Sequence, residues 1–262
     1  HEDGHNNPTT HPDFERSCHK FPGSFDPCIG EAGLVEATLG ADGRPVCKAN
    51  VGSIYMPDCT TFNQWFKDVP GVNKVIRGKT LSLTGGLAHP TLGWAAGEYS
   101  FQSSAFFPVD NQEADDDSYG LTYPAFINLY PEFTQVGFGN QGREHNFHFC
   151  TEIRTAFMYY GFGQFQFTGD DDVWIFINNR LAIDLGGVHG EMSFSVDLAT
   201  FSVTAGAGRC PSDGGCLQSY TEYPLDIFHC ERQTHQSNFK ITTRGIELFT
   251  VGRPPPPPPS PP

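Results

Sequence analysis

Three consecutive aspartates, Asp170, Asp171 and Asp172, are the residues of this sequence whose chemistry most needs an explanation. They follow the segment "GQFQFTG" and precede "VWIFIN", and both segments are typical of β-strands. Adjacent carboxylates repel one another, so they must either be solvated in a turn or be neutralised by a cation. The pattern alone leaves both readings open: a solvated acidic turn, or a site for calcium, which binds carboxylate oxygens.

Further oxygen donors, Asn178 and Asp184, follow the aspartates within the next strand–turn unit. Their order does not match an EF-hand loop, which requires alternating acidic residues, a glycine and a glutamate at the twelfth position. A calcium site at this position would therefore belong to another type.

Few residues of the sequence indicate a catalytic site. A glycosidase needs two carboxylates about 5–10 Å apart across a cleft, and no such pair stands out. Asp184 and His189 could suggest acid–base chemistry, but the glycines between them, Gly186 and Gly187, favour a tight turn at the edge of the site. If His1 is a mature N-terminus, its amine and imidazole could bind copper. We expect no catalytic activity.

Eight cysteines are present, and none forms the C-x-x-C pair of zinc sites and thioredoxin-like motifs. An even number without metal spacing favours disulfides, and therefore an oxidising, extracellular compartment. Many pairings are possible, and sequence alone cannot choose among them. Local spacing favours three pairs and leaves a fourth, which joins distant segments: Cys18–Cys28, Cys47–Cys59 and Cys210–Cys216, with Cys150–Cys230 remaining.

Charge and hydropathy exclude several classes of partner. The 262 residues carry 16 Lys and Arg against 30 Asp and Glu, a formal net charge of −14, which argues against nucleic acid and anionic membranes as partners. No apolar run approaches the roughly 18 residues of a membrane span. The chain begins at His1 instead of Met, as it would after removal of a signal peptide or in any truncated sequence.

Strand-like segments separated by turns fill the chain from residue 11 to residue 251, without alternation of strands and helices. They are "GEYSFQSSAFF", "HNFHFCTEIRTAFMYY", "GQFQFTG", "VWIFIN", "RLAIDL", "EMSFSVDL", "YPLDIFHCE" and "NFKITTRGIELFTV". Many short strands with Gly- and Pro-rich turns predict one all-β domain, a sandwich stapled by disulfides.

Five segments depart from this strand pattern. Residues 1–10 are polar and expected to be flexible, and residues 110–144 look like a long insertion between strands. A helix is expected over 60–69, opened by a Thr cap and closed by Pro-Gly. "NNR" at 178–180 predicts a hairpin turn. After Gly252 the composition changes to "RPPPPPPSPP", and 252–262 should be an extended polyproline II tail.

Several long motifs resemble the fibro-slime domain, a branch of the PA14-like β-sandwiches. They are "HPDFE", "FNQWFKDVPGVN", "FFPVD", "HNFHFCTEI", "FTGDDDVWIFINNRLAIDLGGVH" and "YPLDIFHCERQTHQSNFKITT", which together reach from residue 11 to residue 243. The resemblance implies a PA14-like sandwich with calcium as cofactor, in which two aspartates joined by a cis peptide hold the ion. These would be Asp170 and Asp171, with an amide from a later loop, here Asn238. Asp172, Asn178 or Asp184 would complete or support the shell.

The proline-rich tail is similar to the hydroxyproline-rich glycoproteins of green algal and plant cell walls. That similarity implies hydroxylation and O-glycosylation of tail residues. The candidates are Pro254, Pro255, Pro256, Pro257, Pro258, Pro259 and Ser260.

The two resemblances imply a secreted, calcium-stabilised structural or adhesive module of an extracellular matrix, cell wall, cell surface or glycoprotein filament. Its expected partners are further copies of itself or other matrix glycoproteins, and glycans. The alternatives are a calcium-dependent lectin or adhesin, in which the ion also binds sugar, and a polysaccharide-active enzyme. The stiff tail predicts head-to-tail assembly, with a passive stalk as the alternative.

Overall fold

The computed structural model describes residues 11–14, 29–49, 53–56, 58–76, 81–85, 98–110, 127–129, 132–136, 144–203, 217–233 and 236–249. The expectations for residues 1–10, for the tail 252–262 with its glycosylation candidates, and for the pairs Cys18–Cys28 and Cys210–Cys216 lie outside these ranges.

Antiparallel strands make up most of the described chain, which confirms the all-β class. In chain order they are β1 (Ile29–Glu31), β2 (Asn73–Ile76), β3 (Leu81–Gly85), β4 (Glu98–Ser103), β5 (Ile127–Leu129), β6 (Glu132–Val136), β7 (Phe149–Gly169), β8 (Asp172–Ile177), β9 (Arg180–His189), β10 (Met192–Asp197), β11 (Ser202–Val203), β12 (Thr221–Glu231) and β13 (Phe239–Leu248). A single short helix in the described residues, α1 (Cys59–Phe62), lies between β1 and β2.

Strand β7 belongs to two layers of the fold. Its first half, from Phe149 to Tyr159, pairs with β12, whereas its second half pairs with β10. On the other side, β13 pairs with the second half and, after a shift in register, with Phe157 to Tyr159 of the first half. Between the halves, Gly161 and Gly163 have φ values of +101° and +147°, which L side chains rarely adopt. Glycine at these two positions lets one long strand bend from the first layer into the second.

The main hydrophobic core lies between the two layers. Val173, Ile175 and Ile177 alternate along β8 and point into this core, where they meet residues such as Phe167 and Phe239 from the second layer. Because side chains alternate across a strand, the intervening residues of β8 point to the opposite face of the first layer.

A second core covers that opposite face. Trp174 and Phe176 of β8 pack there against residues of the N-terminal part of the chain, including Phe14, Phe62 and Trp65. Both tryptophans are completely buried. The N-terminal part therefore forms an additional layer over the outer face of the sheet.

The hairpin predicted at 178–180 is confirmed. Ile177 pairs with Arg180, and the two residues between them, Asn178 and Asn179, have φ values of +52° and +62°. This is the positive-φ pair that a tight two-residue hairpin requires and that asparagine tolerates.

Two expectations need correction. The helix predicted over 60–69 is only the four-residue α1. Its N-cap is Asp58 and not a threonine, and the Asp58 carboxylate accepts a hydrogen bond from the Thr60 backbone N–H at 2.7 Å. The segment 110–144, predicted as an insertion between strands, contains β5 and β6, and β6 pairs with β2 and β7. The pairing of β6 with distant strands is not visible in any local pattern.

Two predicted disulfides are present. Cys47 is bonded to Cys59, and Cys150 to Cys230. The second bond joins directly paired residues of β7 and β12 and is completely buried. No cysteine in the described ranges is free.

Candidate functional site: a buried acidic cluster

The three aspartates connect the two layers of the sandwich. Strand β7 ends at Gly169 in the second layer, and β8 begins at Asp172 in the first. The segment is therefore not the turn of a hairpin, because β8 pairs with β9 and β12 instead of β7. The aspartates are also not solvated: Asp170, Asp171 and Asp172 are 5%, 2% and 0% exposed.

Each aspartate has a different set of hydrogen-bond donors. Asp170 accepts from the backbone N–H of Asn238 at 2.6 Å and from its side-chain amide at 2.8 Å. Asp171 accepts from the backbone N–H groups of Arg232, at 2.6 Å, and His189, at 3.4 Å. Asp171 has a φ of +54°, a conformation that aspartate tolerates. The side chains before and after it, those of Asp170 and Asp172, therefore point in different directions.

Asp172 forms a buried ion pair with Arg232. The guanidinium donates from Nε to Oδ2 at 2.5 Å and from Nη2 to Oδ1 at 3.0 Å, and the backbone N–H of Gly187 donates to the same Oδ1 at 2.7 Å. Both members of the pair are completely buried. A bidentate contact of this kind is the geometry in which an arginine–carboxylate pair is strongest.

Arg232 also holds the N-terminal layer. Its Nη1 donates to the backbone carbonyls of Asp13, at 2.8 Å, and Tyr55, at 2.9 Å, and its guanidinium lies 4.7 Å from the centre of the Trp65 ring. The same side chain therefore neutralises Asp172 and satisfies two buried carbonyls of another layer.

Glu231 adds a fourth buried acid. Its Oε2 has no N–H or O–H donor, and the Asp171 carboxylate lies next to it. Burial raises the pKa of Glu231 well above its usual value, and the nearby Asp171 raises it further. Burial likewise raises the pKa of Asp171, to about 7, although Arg232 opposes this shift. Since two ionised carboxylates cannot hydrogen-bond each other, the arrangement favours one proton shared by the pair.

Two histidines lie beside the acids. His189 is buried, and its Nδ1 is 2.7 Å from the Gly190 carbonyl oxygen, while its Nε2 has no partner. His229 is completely buried among phenylalanine rings, including Phe106, Phe167 and Phe239. Burial lowers the pKa of both histidines, and that of His229 to about 3.

His229 should make the fold sensitive to acid. Unfolded histidine binds a proton near pH 6.5 and folded His229 only near pH 3, so stability is lost as the pH falls from about 6.5. We expect His229→Leu to remove this contribution, so that the variant loses about 2 kcal/mol less stability than the parent between pH 7 and pH 5. Urea unfolding at the two pH values measures the difference.

Phe239→Leu provides the control, because it alters a ring in contact with His229 without removing a titrating group. The raised pKa values of Asp171 and Glu231 have the opposite sign, since they favour the folded state as the pH falls. They contribute equally to parent and variant. Identical pH dependence of the parent and His229→Leu would contradict the prediction.

The structure brings together part of the predicted calcium ligand set. Asp170, Asp171 and Asp172 lie together, and Asn238 contacts the first of them. Asn178 does not join them, because it follows the far end of β8, about 20 Å along the strand from Asp172.

Asp184 lies on the neighbouring strand β9, where its Oδ2 accepts a hydrogen bond from the Gly33 backbone N–H at 2.7 Å. Gly187, expected in a turn after Asp184, lies within β9. A Cβ atom there would lie 2.7 Å from the Tyr55 ring, so the glycine allows close packing of the N-terminal layer.

The described side chains do not form a calcium coordination shell. Calcium takes six to eight oxygen ligands, whereas both oxygens of Asp172 and those of Asp171 already accept hydrogen bonds, from Arg232 and from backbone N–H groups. In the described ranges, no group of three or more His, Cys, Asp or Glu could hold a metal ion, and no peptide bond is cis. Calcium therefore stays a prediction from the sequence.

The sequence pattern does not indicate how central Arg232 is to the acidic cluster. The motif "CERQTHQSNF" suggests that Glu231 and Arg232 form an ion pair or clamp behind the acidic segment. The clamp is present, but the partner of Arg232 is Asp172, 60 residues away, and Glu231 faces Asp171. No short motif marks this contact, because Arg232 directly follows the end of β12 and its neighbours Glu231 and Gln233 are themselves polar.

Comparisons with known proteins identify longer relatives. No family model matches the chain. The chain is similar to protein psiR of Dictyostelium discoideum, with 40% identity over 240 residues, which are 91% of this chain and 20% of that protein. Protein psiQ of the same organism is 38% identical over 84% of this chain and 19% of its own length. Protein psiD is 34% identical over 80% of this chain and 35% of its own length.

The chain thus spans about a fifth to a third of the length of these curated relatives. Among solved structures, a β-glucosidase from Kluyveromyces marxianus in complex with glucose aligns with 40% of this chain and 11% of that chain, at 10% identity. Its TM-score of 0.23 is too low to support an argument. Within the described part of the chain, no helix is long and apolar enough to cross a membrane.

Proposed function

We propose that this chain is a non-catalytic structural or adhesive module of a secreted glycoprotein that belongs to an extracellular matrix, cell wall or filament. The observation that supports this proposal best is the burial of the acidic cluster. Asp171, Asp172, Glu231 and Arg232 are at most 2% exposed, so their contacts serve to join the layers of the fold.

Catalysis on a polysaccharide would require the same acids to be accessible. General acid and nucleophile must each come within hydrogen-bonding or bonding distance of a glycosidic bond. Asp172 is completely buried, and Arg232 donates to both of its oxygens. Asp171 and Glu231 are 2% and 1% exposed, so neither acid reaches a bound substrate.

The disulfides support the proposed location. Cross-links such as Cys47–Cys59 and Cys150–Cys230 persist in oxidising compartments and are rare in the cytosol. The chain matches only a part of longer relatives, which agrees with a module used within larger proteins.

A calcium-dependent lectin is the second candidate, and one contact favours it. Asp170 is the most exposed of the three aspartates, and Asn238, which is only partly buried, hydrogen-bonds it. This is the pair of oxygen-bearing side chains that the resemblance assigns to calcium, and it lies at the edge of the cluster. An ion bound there would neutralise the edge of the cluster that Arg232 does not reach.

Chelation tests the calcium prediction. An ion that binds only the folded state stabilises it by RT ln(1 + [Ca]/Kd), so EDTA should lower the melting temperature if the site exists. The Asp170→Asn variant is the matched control, because it removes the charge with little change in side-chain size and should melt at the same temperature with and without EDTA. If EDTA did not change the melting temperature of the parent chain, calcium would not stabilise the fold, and Arg232 would be the cation of the cluster.

Assembly tests the proposed function itself. We expect the full chain to form filaments or large particles at high concentration, and we expect a chain lacking residues 253–262 to remain dispersed, because the stiff proline tail provides the link between copies. Light scattering and electron microscopy compare the two chains. If the two chains assemble equally, the tail is a passive stalk. If the chain hydrolyses a polysaccharide, its role is enzymatic and the proposed structural role is wrong.

A further inference from the structure

An exposed aromatic surface lies at the bend of β7, at the opposite end of the sheet from the acidic cluster. The half-buried Tyr160 and the exposed Tyr220 form it, and Phe162, which is 37% exposed, follows Tyr160 by two residues at the same bend; Tyr220 is 76% exposed. The rings of the two tyrosines are edge to face with centroids 6.0 Å apart. From Thr221 to Cys230, β12 spans nine residue steps, so this aromatic surface is about 30 Å from the cluster.

Close packing of glycines positions these rings. A Cβ atom on Gly245 would lie 2.7 Å from the Phe162 ring, and one on Gly161 would lie 2.6 Å from the Ser219 hydroxyl oxygen. Tyr220 has a φ of +59°, which is uncommon for an aromatic residue, and its backbone N–H donates to the Tyr159 carbonyl at 2.6 Å. A surface-exposed ring held in a rarely adopted backbone conformation suggests a binding role.

Acidic side chains flank the aromatic surface. Glu222 of β12 and Glu247 of β13 both pair with Met158 of β7, so the three side chains share one face of the sheet, and Tyr160 follows on the same face. Both glutamates are exposed. Glu247 accepts a hydrogen bond from the Tyr160 hydroxyl at 2.6 Å. The surface therefore combines flat rings, a tyrosine hydroxyl and a negative border.

We propose that this aromatic surface binds the proline-rich tail, Arg253 to Pro262, of a second copy of the chain. A run of six prolines favours polyproline II, which docks on aromatic-lined grooves with little loss of entropy. The tail also has complementary charge, because Arg253 directly precedes the prolines and would lie opposite Glu222 or Glu247.

The direction of the chain favours a second copy over the chain's own tail. The Phe249 backbone N–H donates to the Ala156 carbonyl, whereas Ile246 pairs with Tyr159, so β13 runs away from Tyr160 as it approaches the tail. A tail that bound the rings of its own chain would have to turn back within residues 250–252, before the stiff run of prolines begins. A tail from another copy needs no reversal, and repeated contacts of this kind would build a filament.

Peptide binding tests this inference, which rests on the proposed tail-mediated assembly. The receptor is the full chain with Pro254 to Pro259 replaced by glycine and serine, so that it cannot bind through its own tail, and the probe is a synthetic peptide of residues 253–262. We expect Tyr220→Asn to weaken peptide binding about tenfold, as removal of a central aromatic contact does. Asparagine tolerates the positive φ, so the variant keeps the backbone conformation. Isothermal titration calorimetry measures the affinity.

The matched control is Ile29→Asn, because Ile29 is also an exposed apolar residue but belongs to β1, outside the aromatic surface. We expect this variant to bind the peptide as the parent receptor does, and we expect a peptide with Arg253→Glu to bind more weakly. Failure of the peptide to bind, or equal binding by Tyr220→Asn, would overturn the assignment of the tail to this surface. Competition of an oligosaccharide for the surface without peptide binding would assign it to sugar instead.

Different results would contradict the proposed function and the proposed docking of the tail on the aromatic surface. If deletion of the tail abolishes assembly but Tyr220→Asn binds the peptide normally, the structural role stands and the docking site lies elsewhere. If deletion of the tail leaves assembly unchanged, the tail-mediated function is wrong whatever the affinity of the peptide.

Discussion

Replacement of Arg232 by methionine should destabilise the folded chain by about 3–5 kcal/mol. Asp172 would be left as a buried carboxylate without its cation, and the carbonyls of Asp13 and Tyr55 would lose their donor. Methionine retains much of the side-chain volume over Trp65, so the loss reflects charge and hydrogen bonding more than packing. Urea unfolding at neutral pH measures the change in the free energy of unfolding.

The control is Arg244→Met. Arg244 also forms an ion pair with a carboxylate, Glu98, at 2.6 Å, but the two side chains are 60% and 54% exposed. Exposed pairs contribute little, so this variant should lose less than about 1 kcal/mol. A similar loss in both variants would show that Arg232 contributes no more than a surface arginine.

A double variant separates the charge from the rest of the contacts. If the main cost of Arg232→Met is an unpaired carboxylate, then Asp172→Leu in the same chain should restore part of the lost stability. The remaining deficit would measure the hydrogen bonds from Arg232 to the N-terminal layer together with the lost hydrogen bond from the Gly187 backbone N–H to Asp172. No recovery would indicate that those backbone contacts, and not the ion pair, are the main contribution of Arg232.

Local pattern predicted most of the strands. The alternation of β4 and β10, the apolar run of β8 and the asparagine turn before β9 all depend on neighbouring residues, and each is present where expected. The same local reasoning failed between β7 and β8, since a turn between two strand-like segments looks the same whether or not the strands pair with each other.

The chemistry of the acidic cluster was less predictable for the same reason. Three adjacent aspartates imply a compensating positive charge, but sequence spacing cannot say whether it is a metal ion, a proton or an arginine. Arg232 is 60 residues from Asp172 and meets it only because β12 pairs with β8. The raised pKa of Glu231 beside Asp171 depends on burial, which no short motif specifies.

The acidic cluster lies where the layers of the fold are joined. The aspartates join the two layers of the sandwich, Arg232 joins them to the N-terminal layer, and Cys150–Cys230 links β7 to β12 beside them. Cys230 pairs across the sheet with both Cys150 and Asp172. We therefore expect the stability of the whole domain to depend strongly on this end of the sheet.

Removal of the Cys150–Cys230 disulfide, by replacing both cysteines with alanine, should cost about 4 kcal/mol of stability. The bond closes a loop with a sequence separation of 80 residues, and in the chain-entropy model its main effect is to restrict the unfolded chain. The strands should stay paired in the variant, because β7 and β12 are in continuous register from Phe149 to Tyr159. Guanidinium unfolding under non-reducing conditions measures the loss.

The other described disulfide provides the comparison. Cys47–Cys59 has a sequence separation of only 12, so the same model gives about 3 kcal/mol for its removal. Because Cys150 and Cys230 are also completely buried, alanine at those positions leaves a cavity in the second core, which should widen the difference between the two variants. A smaller loss for Cys150–Cys230 than for Cys47–Cys59 would show that the unfolded chain is already restricted at this end by residual contacts between the strands.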